Sequence, residues 1–225
     1  MQTTVQSSCI PRELQLQASM LRLRTVSDQI EAGYKILRKY HKTVTVFGSA
    51  RLQESDKFYQ QAQEFGGMLA NHHYAVVTGG GPGIMEAANR GAFEAGGDSI
   101  GFNIVLPHEQ SLNQYTTEEL SFNHFAPRKI VMTMMADAYV YFPGGFGSLD
   151  ELSEILTLIQ TGKTQPAPVI LIGTEFWHGM DVFFTETMNE SFATISPDDE
   201  HLYMITDDLD EAMASIEAND TYCGH

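Results

Sequence analysis

The apolar positions of this 225-residue chain change period repeatedly. Short runs of β-branched and aromatic residues alternate with longer stretches in which apolar residues recur every three or four positions. From about Arg12 to Tyr40 the spacing is helical, with Val26, Ile30, Tyr34 and Leu37 on one stripe. Thr43 to Phe47 reads as a strand that runs into Gly48-Ser49-Ala50-Arg51. Helix is expected from about Ser55 to Asn71, strand from Tyr74 to Thr78, and helix again to about Ala95, where Gly96-Gly97 ends it. Ser99 to Leu106 is a third strand, and Leu106 to Thr117, with its Pro, Asn and Gln, a loop. Leu120 to Phe125 reads as a short strand, Pro127 to Ala136 as a helix opened by proline, and Ala138 to Phe142 as a strand. A helix from Ser148 to about Thr161, a sixth strand from Pro168 to Ile172, and helices near Phe176 to Glu190 and Asp207 to Glu217 complete the pattern.

Strands alternating with helices predict an α/β fold, a doubly wound parallel sheet of Rossmann-like type with helices on both faces. The first helix is extra to that alternation, so its stripe needs a surface to cover it, expected from a partner subunit. The expected organisation is a tail and helix over residues 1–40, one α/β domain over 41–218, and a tail over 219–225. No internal repeat or low-complexity linker interrupts it.

Two strand-to-helix junctions are rich in glycine: Thr78-Gly79-Gly80-Gly81-Pro82-Gly83-Ile84-Met85-Glu86 and Pro143-Gly144-Gly145-Phe146-Gly147-Ser148-Leu149-Asp150-Glu151. Glycine lets the backbone adopt positive φ and approach a ligand closely. The free N–H groups of the helix that follows attract an anion. Two such turns point to a phosphate ester at the carboxyl edge of the sheet. Neither matches the G-x-G-x-x-G dinucleotide fingerprint, because Ile84 and Asp150 stand where its last glycine belongs. Gly162-Lys163-Thr164 follows a helix instead of opening one, so Gly162 reads as a C-terminal helix cap, not as part of a P-loop.

Ser148 and Glu151 fit a capping box, with the hydroxyl on one helix-end amide and the carboxylate returning to the cap. That gives Glu151 a purely structural reading beside a functional one, a carboxylate near the sugar of a bound phosphate ester. Asp150 reads as facing solvent or stabilising the helix N-terminus. Arg128-Lys129 falls at a helix start, where cations oppose the helix dipole. Either a carboxylate of the fold or an anionic ligand should compensate them. No histidine pattern suits a metal, and no Gly-x-Ser-x-Gly elbow is present, so no metal and no cofactor are expected.

The net charge of −16 argues against binding to nucleic acid or to an anionic membrane surface. Only Cys9 and Cys223 are present, a usage that suits a reducing cytosol. No segment approaches the length of an apolar membrane span, and Met1 to Ser8 is not a secretory signal, so a cytoplasmic location is expected.

The run Gly79 to Asn89, then Arg128-Lys129, then Pro143 to Glu151 resembles the Lonely-guy (LOG) family, whose members include cytokinin riboside 5′-monophosphate phosphoribohydrolases and are often mislabelled lysine decarboxylases. The resemblance extends from about Thr43 to Ile205, with Ser148 where the P-G-G-x-G-T-x-x-E motif has Thr. Gln160-Thr161-Gly162-Lys163 and Leu106-Pro107-His108-Glu109-Gln110 are similar to the longer bacterial branch. The resemblance implies hydrolysis of the N-glycosidic bond of a nucleoside 5′-monophosphate to free base and ribose 5-phosphate, in a Rossmann-like homodimer. It implies catalytic roles for Arg128 and Glu151, and a 5′-phosphate held by the amides of Gly144, Gly145, Gly147 and Ser148. Ser49, Gly79, Gly80, Gly81, Gly83, Met85, Glu86 and Lys129 are further candidates for substrate binding. A nucleotide or molybdenum-cofactor carrier of the same fold would keep the glycine loops without needing the Arg/Glu pair. A decarboxylase is disfavoured, since no lysine stands in a recognisable pyridoxal-phosphate context.

Overall fold

The computed structural model describes residues 10–106 and 112–220. Cys9, Cys223, both outer tails and the Pro107-His108-Glu109-Gln110 stretch lie outside the described residues.

A seven-stranded sheet, parallel throughout, organises the chain in the order β4-β3-β2-β1-β5-β6-β7. The strands are β1 (Thr43–Phe47), β2 (Ala75–Thr78), β3 (Ser99–Ile104), β4 (Glu118–Phe122), β5 (Ala138–Tyr141), β6 (Val169–Ile172) and β7 (Met204–Thr206). Every residue of β1, β2, β3, β5 and β6 is buried, as expected where helices cover both faces of a parallel sheet.

Alternate strand residues divide the core into two layers. Val44, Val46, Val76, Val140, Ile170 and Ile172 meet α2 (Lys57–Asn71), α3 (Ile84–Glu94) and α7 (Leu209–Asp220) on one face. Phe47, Val77, Tyr139, Tyr141, Val169 and Leu171 meet α4 (Phe125–Met134), α5 (Phe146–Gln160), α6 (Thr174–Val182) and the end of α1 (Arg12–Leu37) on the other. The doubly wound fold is therefore as the alternation predicts.

Three local expectations need correction. The stripe Val26, Ile30, Tyr34, Leu37 does not wait for a partner subunit. Leu37 is buried and Ile30 and Tyr34 pack against the same core layer, with Gly33 set closely against Val131 of α4. The exposed apolar residues of α1 lie nearer its start, at Leu14, Leu16, Met20, Leu21 and Leu23. Second, α4 and α5 each begin two residues early, at Phe125 and Phe146. Third, β7 adds a short seventh strand, and the helix after α6 continues as a π-helix over Phe183–Ser191. Among the described residues no helix is long and apolar enough to cross a membrane.

From β1 the chain winds outward to β4, then crosses to the other side of β1 to form β5. The carboxyl ends of β1 and β5 thus flank the point where the winding direction changes, the usual place for a ligand crevice in an open α/β sheet. Ser49 N–H donates to Pro143 O at 3.0 Å and ties the two strand ends together there.

Candidate active site

A cavity of about 960 Å³ opens at this switch point. The segment 48–52 after β1, Gly79 and Met85, Arg128 and Lys129, and the segment 143–151 line it. Phe58, Ile104, Leu106, Phe125 and Phe176 add an apolar wall.

The two glycine turns, alike in sequence, differ here. The first is closed by the protein itself. Gly83 has φ of +70°, and a Cβ there would fall 2.3 Å from Ser49 O. That carbonyl accepts the Ile84 N–H at 3.0 Å, so the start of α3 is already occupied. Asn113 seals the turn further, through its N–H to Gly80 O at 2.8 Å and its side-chain amide to Gly81 O at 3.2 Å. Of this turn only Gly79 and Met85 border the cavity; Gly80, Gly81 and Gly83 lie behind it. Glu86 points elsewhere and accepts the Tyr59 hydroxyl proton at 3.1 Å.

The second turn is open. Gly145 is the N-cap of α5 and no side chain caps it. A Cβ on Gly145 or Gly147 would meet nothing within 4 Å, and Phe146 is 91% exposed. The first-turn N–H groups of α5 have no intrahelical carbonyl to bond and belong to residues that line the cavity. Gly144, Gly145, Gly147, Ser148 and Ser49 all border it.

Because α5 begins at Phe146, Ser148 is its third residue and not its cap. The capping box is absent. Glu151 instead lies on the side facing α4, where its Oε1 is 3.3 Å from Arg128 Nη1. Both side chains are nearly excluded from solvent, at 8% and 13% exposure. Arg128 is fixed from two further sides. Its Nε donates to Phe102 O at 2.6 Å, and its Nη2 crosses so near Gly79 that a Cβ there would sit 2.0 Å away. Gly79 thus serves the arginine as a gap in the wall.

Burial pushes the Glu151 carboxyl up to about 7, against the opposing pull of Arg128 and Lys129. Burial likewise lowers the Arg128 guanidinium, while Glu151 raises it. The cations at the start of α4 are compensated by carboxylates of the fold. Lys129 Nζ lies 2.8 Å from Asp150 Oδ2 and 3.0 Å from Glu154 Oε2. Burial lowers its pKa, but the pull of those carboxylates outweighs this and holds it above the ordinary lysine value. An ammonium held in that way is poorly suited to form a Schiff base. Asp150 is solvent-facing as expected, with 63% of its side chain exposed, and it also forms an ion pair. The apolar wall was not legible from motifs, since its residues come from separate elements and carry no common spacing.

The family described as possible lysine decarboxylase matches residues 85–216, more than half of the chain and inclusive of Arg128 and Glu151. The chain belongs to that family, the LOG family. A cytokinin riboside 5′-monophosphate phosphoribohydrolase of Rhodococcoides fascians is 27% identical over 183 residues, covering 79% of this chain and 90% of that protein. An Arabidopsis thaliana enzyme of the same name is 28% identical, covering 78% and 83%. The fold is shared with the molybdenum cofactor carrier protein of Chlamydomonas reinhardtii, with a TM-score of 0.61, 24% identity, and 80% and 99% coverage.

Proposed function

We propose that this LOG-family protein hydrolyses the N-glycosidic bond of nucleoside 5′-monophosphates, releasing the free base and ribose 5-phosphate. The observation that carries the reading is the buried Glu151–Arg128 pair beside an open helix N-terminus, all lining one cavity. The α5 N-terminus suits a phosphate dianion, which would anchor the sugar. As the bond from C1′ to the base nitrogen breaks, its electron pair leaves with the base and the ribose gains oxocarbenium character. An ionised Glu151 would stabilise that charge and orient the attacking water. The water oxygen bonds to C1′, one of its protons is released, and the departing nitrogen takes up a proton. Arg128 would hold Glu151 in place and offer its remaining N–H groups to the base or ribose. A cytokinin riboside 5′-monophosphate is the substrate that the names of the curated relatives suggest, and AMP is the second candidate.

The carrier reading has less support. Burying an ion pair is costly and breaking one costs on the order of 3–5 kcal/mol, and a carrier has no evident use for such a pair at its pocket. The test is incubation with a panel of nucleoside 5′-monophosphates and chromatographic detection of free base. Tight nucleotide binding without any released base would favour the carrier.

A further inference from the structure

Glu151 sits in a concentration of charge that the reaction outlined above does not explain. On α5, Asp150 precedes it and Glu154 follows one turn later. Two more negative charges beside a buried carboxylate oppose its ionisation. Lys129 answers both. Its Nζ donates to Asp150 Oδ2 at 2.8 Å and lies 3.0 Å from Glu154 Oε2, an ion-pair contact off the line of a hydrogen bond. With 19% of its side chain exposed, the lysine is drawn along α5 and not out into solvent.

We propose that Lys129 is a positioning residue that neutralises the two carboxylates flanking Glu151, leaving Glu151 the carboxylate of this cluster that can act on the substrate. This assigns Lys129 a role through Glu151 in place of substrate contact, and it rests on reading Glu151 as the group that works in its ionised form. The charged and titratable groups around Glu151 among the described residues enter the balance. Arg128 and Lys129 act on it from α4 and Asp150 from its own helix; Glu154, one turn on, reaches it through the shared Lys129, and the Tyr141 hydroxyl of β5 is buried with no hydrogen-bond partner among the described residues. Arg51 lines the same cavity from the β1–α2 loop. Among the described residues only Lys129 contacts both flanking carboxylates.

The charges removed fix the sign of each substitution. Lys129→Met removes a positive charge and unmasks Asp150 and Glu154, so the ionisation midpoint of Glu151 rises. Asp150→Asn removes a like charge, so the midpoint falls. The two together largely cancel. At these separations each change is expected to be on the order of one pH unit. Lys129→Arg keeps the charge and stays near wild type.

The test is a carbon-13 NMR titration of ligand-free protein carrying labelled glutamate carboxyls, with Glu151 assigned by its absence from Glu151→Gln. The pH dependence of kcat/KM on AMP is measured in parallel. The expected result is an upward midpoint in Lys129→Met, reversal in Lys129→Met/Asp150→Asn, and an acid limb of kcat/KM that follows the same order. An unmoved midpoint in Lys129→Met with a raised KM makes Lys129 a substrate ligand and overturns the proposal. A midpoint that rises but is not reversed by Asp150→Asn overturns it as well. Should the midpoints move as stated while no nucleotide releases its base, the charge balance stands and the hydrolase reading falls.

Discussion

Replacing Glu151 with Gln should separate the stability of this fold from its chemistry, in opposite directions along the pH scale. The carboxyl is raised from 4.5 to about 7, chiefly by burial. At about 1.4 kcal/mol per pH unit, that rise corresponds to about 3 kcal/mol of resistance to ionisation in the folded state. The folded pKa lies above the unfolded one, so the folded state holds the proton more tightly. The stability linked to that proton is fully present below 4.5 and is lost as pH rises through 7. Gln mimics the protonated acid, including the oxygen presented to Arg128, so wild type and Glu151→Gln should be similarly stable near pH 5. By pH 8 the wild type should have fallen behind by about 3 kcal/mol. Urea denaturation of both proteins over this range measures the difference, and no substrate phosphate complicates that titration. Activity should run the other way. Wild-type kcat/KM rises with pH through about 7 as Glu151 ionises, while Glu151→Gln is slower on the order of 100-fold or more at every pH. Parallel stability curves would refute the buried-acid argument, and wild-type turnover in Glu151→Gln the catalytic assignment.

Three other outcomes are expected. Adenosine should be hydrolysed on the order of 100-fold or more slowly than AMP, because the α5 N-terminus no longer positions the sugar; equal rates in a free-base assay would remove the 5′-phosphate from Gly144 to Ser148. Gly79→Ala places a Cβ 2.0 Å from Arg128 Nη2, so the guanidinium must shift, and turnover should fall at least 10-fold while circular dichroism stays native; an active variant would show that Arg128 need not lie over Gly79. The leucines and methionine exposed along the first half of α1 are expected to be covered by a second copy of the chain, and light scattering that finds a stable, active monomer near 25.0 kDa excludes this.

Much of the fold was legible because parallel strands buried on both faces appear as nearly unbroken apolar runs. Ala138–Tyr141 and Val169–Ile172 are of this kind. Met204–Thr206 is only three residues long, too short for any period to register. The Val26 to Leu37 stripe was correctly helical, but periodicity says only that a face is covered, not by what. The cover is α4, brought there by the tertiary fold.

The site itself turned on helix starts, where sequence signals are degenerate within one turn. Pro127 needs only a position whose N–H is unused, and the third residue of α4 meets that need as well as the first. Ser148 likewise suits several places in the first turn of α5. A slip of two residues at Phe146 decides what Glu151 is. With Ser148 as cap, the carboxylate would fold back on the helix end; with Gly145 as cap, it faces Arg128 and leaves the amides free. The glycine turns diverge for a reason equally remote in the chain. Ser49 O takes the first amide of α3, and Asn113 closes the turn before it, whereas α5 has no such contacts at its start among the described residues. Two similar motifs therefore take unlike tasks, one as a packed corner that makes room for Arg128, the other as an open anion seat. The chemistry becomes visible only where the sheet's switch point sets them face to face.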